Sequence, residues 1–216
     1  MATGFTALDI IVAAAALVVA VWFLVAWRRL GEPALLLFAV GLALKGVGYG
    51  VAGLADPVSS RPASAFDLTR IGVLFVGNLL MVSAYLGGRR QRAWLLAGWI
   101  VAGGAALLVA IDLVVPPLGS VDLQVASIVS ASIIAVANVA CAVFAAHGFR
   151  ASPSAGRALV PTAFLFWGLS NYTGLLIVLG SPSWLHVLVQ LWRLVAVVLM
   201  LGALVLPRGG AGPAKA

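Results

Sequence analysis

Lys45 and Arg193 are charged residues inside stretches that are otherwise apolar. Lys45 lies halfway along the run from Ala34 to Ala55, and Arg193 stands nine residues beyond Trp184 in the run that ends at Leu206. A charge at the centre of a bilayer-spanning helix costs roughly 2.5–3.5 kcal/mol on insertion scales. Such residues therefore mark sites by default. Lys45 shares a helical face with Gly41, Gly48, Tyr49 and Ala52, which are small or aromatic rather than lipid-like. Arg193 forms a stripe with His186 and Gln190, and a third run carries Arg70, Asn78 and Tyr85. Asn138 and Asn171 add amides in two further runs.

This set could line one interior for an anionic solute, with Lys45, Arg193 and Arg70 as cationic contacts and Gln190, Asn78 and Tyr49 beside them. No carboxylate is expected at the depth of the two central cations. The competing expectation is structural: Arg193 pairs with Asp112 or Asp9, and the amides bond between helices at about 0.6–2 kcal/mol each. Carboxylates on a partner subunit are a third way to neutralise the cations. Gly46 and Gly50 have the spacing that lets helices approach closely, so with Asn138 and Asn171 they are assigned to helix packing.

Other chemistry is missing. His147 and His186 are the only histidines and are expected near opposite surfaces, so no metal or haem site is expected. Cys141 is the single cysteine, which excludes an intrachain disulfide. No nucleophile–base pair, phosphate-binding glycine loop or mid-membrane acidic residue is visible. An enzyme is the least favoured class, and no cofactor is expected.

The elements that position these residues follow from composition. The chain has 216 residues, 63% hydrophobic and only 9% charged, with a mean hydropathy of +1.16. About a quarter of a typical soluble sequence is charged. An all-α polytopic membrane protein is the expected class. Seven runs are long enough to cross about 30 Å of hydrocarbon: Leu8 to Trp27, Ala34 to Ala55, Arg70 to Gly87, Trp94 to Val115, Gln124 to His147, Ala158 to Gly180 and Trp184 to Leu206. Residues 1–207 form one seven-helix transmembrane domain, and 208–216 a short disordered cytoplasmic tail. Gly31-Glu32-Pro33, Asp56-Pro57, Pro116-Pro117 and Ser181-Pro182 supply breaks.

Orientation follows from the basic residues. Arg28, Arg29, Arg89, Arg90, Arg92, Arg150, Arg157, Arg208 and Lys215 fall on one side, against Arg61 and Arg70 on the other. That bias puts the C-terminus in the cytoplasm and the N-terminus outside. It also accounts for the net charge of +7 without nucleic acid. Abundant Ala, Gly, Val and Arg suggest a prokaryotic cytoplasmic (inner) membrane.

Phe38–Leu42 can be aligned with Leu165–Leu169, and Leu68–Ile71 with Leu191–Leu194. These matches are compatible with a 3+1+3 parallel repeat, an arrangement that in transporters puts the substrate site between halves. In helix number, orientation and length the architecture resembles the microbial rhodopsins. Their pigment-binding lysine lies midway along the last helix, where this chain has Arg193, so no such pigment is expected. The favoured function is a small-solute transporter or permease-like protein. A non-catalytic subunit of a larger membrane complex comes next, then a seven-helix sensor. Lipid, other membrane subunits, a second copy and a small solute are the partners considered.

Overall fold

The computed structural model describes residues 2–52, 65–84, 122–151, 154–182 and 184–206. They form six helices and, among the described residues, no strand: α1 (Ala2–Leu30), α2 (Pro33–Ala52), α3 (Ala65–Ser83), α4 (Leu123–Ala151), α5 (Ala155–Val178) and α6 (Leu185–Val205). The expected fourth span, Asp112 within it, most of the loop from Asp56 to Thr69, and the tail 208–216 lie outside the described residues.

Local chemistry explains the helix ends. Gly31 stops α1 in the left-handed region at φ 68°, with its N–H bonded to the Trp27 carbonyl at 2.7 Å. Pro33 then opens α2, where a missing N–H costs nothing. Asp122 caps α4, its Oδ1 accepting from the N–H groups of Gln124 at 2.7 Å and Val125 at 3.2 Å. Ser154 caps α5 by accepting from the Arg157 N–H at 3.2 Å.

Four helical stretches are long and apolar enough to cross a membrane: Ala7–Leu30, Pro33–Gly50, Gln124–Arg150 and Leu185–Val205. Outward faces agree with that role. On α4 the exposed positions Val125, Val129, Val136 and Val143 make a stripe with helical spacing, which water would not tolerate and lipid would. The chain is thus an all-helical, multi-pass membrane protein. The stretch expected as the third span is only partly described, its apolar helical part being Arg70–Ser83. The sixth is helical, but Ser170, Asn171, Tyr172 and Thr173 dilute its far half.

Each described helix packs against two others, α1 on α2, α2 on α3, α3 on α4, α4 on α5, α5 on α6, and α6 back on α1. The result is a closed ring. Small residues set its tightest crossings. A Cβ at Gly41 would lie 2.7 Å from the Gly77 carbonyl of α3, one at Gly46 3.1 Å from the Ala13 carbonyl of α1, and one at Gly156 2.7 Å from the Ala203 carbonyl of α6. Gly50 is looser, 3.6 Å from the Ala13 methyl. The repeat alignment pairs Gly41 with Gly168. Gly41 closes on the helix that follows it, whereas Gly168 faces Asn138 and Val139 of the helix before it.

The interior is graded along the ring axis. Towards the end that carries Arg28, Arg29 and Arg157 (the basic end) it is an apolar core, including Phe23, Phe38, Leu42, Met81, Phe164, Trp167 and Met200. Towards the other end (the far end) the buried apolar group shrinks to Val12, Ala13 and Tyr49, and polar side chains take over.

Candidate functional site

Lys45 points into the ring and is 1% exposed. Its Nζ lies 3.8 Å from the centroid of the Trp167 ring on α5, the arrangement in which an indole face attracts a cation. The amine has no hydrogen-bond partner. An ammonium held this way still lacks a counter-charge, because a π-face offsets only part of what burial removes.

Three more buried polar atoms without partners stand near it: Trp167 Nε1, Asn78 Oδ1 and Asn138 Oδ1. Asn78 follows Gly77, whose position packs 3.5 Å from the Lys45 Cγ. Asn138 lies against Gly168, the neighbour of Trp167. One helical turn beyond Asn138, Cys141 is buried and close enough to Lys45 to interact electrostatically. Helices α2, α3, α4 and α5 therefore each bring a buried polar side chain to this level of the ring, called here the Lys45 cage.

The asparagine NH₂ groups bond within their own helices, where bonds between helices were expected. Asn78 Nδ2 donates to the Leu74 carbonyl at 2.7 Å, Asn138 Nδ2 to Ile134 at 2.9 Å, and Asn171 Nδ2 to Trp167 at 2.9 Å. A short amide reaches the carbonyl four residues back more easily than a neighbouring helix. This fixes the orientation of each group. A flipped amide would set oxygen against oxygen, so Asn78 and Asn138 turn their Oδ1 atoms away from the backbone.

Arg193 sits in different company, nearer the far end. Its Nη1 lies 3.8 Å from Asp9 Oδ1 on α1 and donates to Gln190 Oε1 at 3.3 Å. Gln190 Nε2 in turn donates to Asp9 Oδ1. The Arg193 guanidinium stacks 4.4 Å from the centroid of Tyr49, the residue one turn above Lys45 on α2. Arg70 of α3 acts electrostatically on the same Asp9 carboxylate. A carboxylate does therefore reach the depth of Arg193, as the competing expectation of a pair with Asp9 had it and against the expectation that none would. The cause is the length of α1, which begins at Ala2 and so carries Asp9 seven positions into the helix. Asp67 is also buried at 1% exposure, three residues before Arg70.

Two gaps in the sequence reading stand out. Trp167 was not singled out, although an indole ten residues into a span departs from the usual interfacial placement and is a usable signal. Cys141 was set aside as a lone thiol; only the ring geometry brings it to Lys45.

At the basic end, a crevice of about 240 Å³ opens among α1, α2, α5 and α6, with Glu32 and Arg157 among its lining and Phe38, Val160 and Met200 beneath. A run of aromatic contacts leads inward from it. Phe23 meets Phe38 at 5.4 Å, Phe38 meets Phe164 at 6.1 Å, and Phe164 meets Trp167 at 5.5 Å between centroids. The axis thus runs from crevice to aromatic layer, then to the Lys45 cage, then to the Tyr49–Arg193–Asp9 layer. Comparison of the chain with protein-family models, curated proteins and solved structures gives no match.

Proposed function

We propose that this chain is a permease-like protein that moves a small anionic solute across a prokaryotic cytoplasmic membrane. In this reading the described helices surround the Lys45 cage, and the segment expected from Trp94 to Val115 is the remaining span of the seven. The basic end faces the cytoplasm, where the positive-inside bias puts it. The observation that carries the proposal is the buried Lys45 ammonium, seated on Trp167 with no hydrogen-bond partner. A buried amine of this kind holds its charge only when a counter-anion joins it, and the Asp9 carboxylate is already engaged with Arg193.

Closure on both sides supports transport over static binding. The Phe38–Phe164 contact separates the cage from the basic-end crevice, and the Tyr49–Arg193–Asp9 layer covers it from the far end. A solute held between two removable barriers can be released to either side. The polar groups turn inward and the outward faces are apolar. That arrangement suits a chain whose business is within its own ring.

The test is uptake into liposomes reconstituted with the full chain, using a panel of radiolabelled small anions. Wild type should take up at least one of them in a saturable way. Lys45→Met should reduce that uptake at least about fiftyfold while reconstituting equally well. Undiminished uptake by Lys45→Met would remove Lys45 from the path.

A further inference from the structure

From the cage we infer the class of solute, on the basis of the proposed anion site: a small monocarboxylate that carries its own hydroxyl. The charge count is the first step. The cage holds one cation, Lys45, while Arg193 is balanced by Asp9. One uncompensated charge matches a monoanion and leaves a dianion half-neutralised in a dry interior.

Hydrogen-bond polarity is the second step. Lys45 Nζ and Trp167 Nε1 donate and would take carboxylate oxygens. Asn78 and Asn138, however, each spend an amide N–H on Leu74 and Ile134, and their oxygens are left with no donor at all. Both oxygens are buried, in side chains 3% and 1% exposed, and neither has a partner. An anion with no donor, such as chloride or acetate, would be repelled by those oxygens and leave them unsatisfied. A hydroxyl supplies the missing donor. An ammonium group would also donate, but it would bring a second cation beside Lys45, which disfavours amino acids.

The hydroxyl can stand on the carbon next to the carboxylate, as in glycolate and lactate, or on the carboxyl carbon itself, as in bicarbonate. The experiment is binding to the purified full chain in lipid nanodiscs, followed by tryptophan fluorescence and calorimetry. The probes are glycolate, lactate and bicarbonate against acetate, propionate and chloride. Hydroxylated anions should bind at least about tenfold more tightly than their unhydroxylated partners. Glycolate and lactate leading places the hydroxyl on the neighbouring carbon, and bicarbonate leading places it on the carboxyl carbon.

In Asn78→Leu and Asn138→Leu that preference should shrink to within about threefold. A ratio of affinities does not respond to a merely structural role, and the wild-type series stands as a test where a variant fails to fold. Equal binding of lactate and propionate, or chloride binding as tightly as lactate, would overturn the hydroxyl assignment and leave the Lys45 anion site intact. Absence of binding by every anion would overturn both.

Discussion

Lys45 and Arg193 are both cations held inside the ring, yet their surroundings have opposite character. Arg193 is embedded in a network that answers its charge, with Asp9 as counter-ion, Gln190 for a hydrogen bond and Tyr49 for its flat face, and only its Nε left without a partner. Lys45 has the flat face of Trp167 and nothing else. The first is what a structural ion pair looks like, with members from α1, α2 and α6 tied across the ring. The second is what a binding group looks like before its ligand arrives. Burial alone did not distinguish them, since both are largely enclosed. The counter-charge does.

Removing each cation should therefore have opposite effects on stability. Arg193→Met strands the Asp9 carboxylate and the Gln190 amide in a low-dielectric setting, and breaking a buried pair in this way costs about 3–5 kcal/mol. Thermal unfolding of the solubilised variant should show a marked fall in midpoint. Pairing it with Asp9→Leu should recover most of the loss, because no orphaned charge then remains. A single variant as stable as wild type would mean the pair contributes nothing, and the contrast would collapse.

Lys45→Met is the converse case. It removes a buried ion that has no partner and replaces it with an apolar chain of similar length. Such replacements are neutral or stabilising by about 1–4 kcal/mol. The same unfolding measurement should show an unchanged or raised midpoint, together with the loss of uptake proposed above. A stability gain joined to a loss of function is the pattern of a site kept for use rather than for folding. A large drop in midpoint would instead place Lys45 among the structural residues.

Both cations were legible as residues of interest from sequence, because a charge amid twenty apolar neighbours is conspicuous whatever the fold. That Arg193 is neutralised is legible only as one of two open readings, with Asp9 and Asp112 as rival partners. The choice depends on how α6 meets α1 and on the depth that Asp9 reaches within α1, and neither follows from spacing along one helix. Helical class and the breaks at Gly31 and Ser181-Pro182 are open to reading because they rest on local chemistry. The inward turn of Asn78 and Asn138 was guessed from polarity, but their bonding was not. An i−4 carbonyl is always within reach of an asparagine, and the freed oxygen matters only once neighbours are known. Trp167 escaped notice because an apolar count scores it with leucine, while its face and its N–H act separately.

Tyr49 sharpens the comparison on a smaller scale. It stacks on Arg193 while standing one turn above Lys45, so it joins the two regions. Tyr49→Phe keeps the ring and should leave stability within about 0.5 kcal/mol. Tyr49→Leu loses the stacked guanidinium contact, worth about 0.5–2 kcal/mol. If the ring also closes the far side of the cage, Tyr49→Leu should raise the solute dissociation rate several-fold in stopped-flow fluorescence. Unaltered dissociation would confine Tyr49 to packing.

Trp167→Phe should have the smallest effect on folding and the most informative effect on binding. Phenylalanine retains an aromatic face for Lys45, though a weaker one than indole, and still packs against Phe164. It also deletes Nε1, a buried donor without a partner. Losing an unsatisfied donor favours the empty protein by about 1–3 kcal/mol. The smaller ring costs roughly the same through lost packing, so the unfolding midpoint should barely move. With an anion present the balance changes, because the indole N–H then meets it beside the lysine ammonium. Affinity should fall about tenfold, the loss should lie mainly in the dissociation rate, and a hydroxylated and an unhydroxylated carboxylate should suffer alike. A fall confined to the hydroxylated anion would move the hydroxyl from the asparagines to the indole edge.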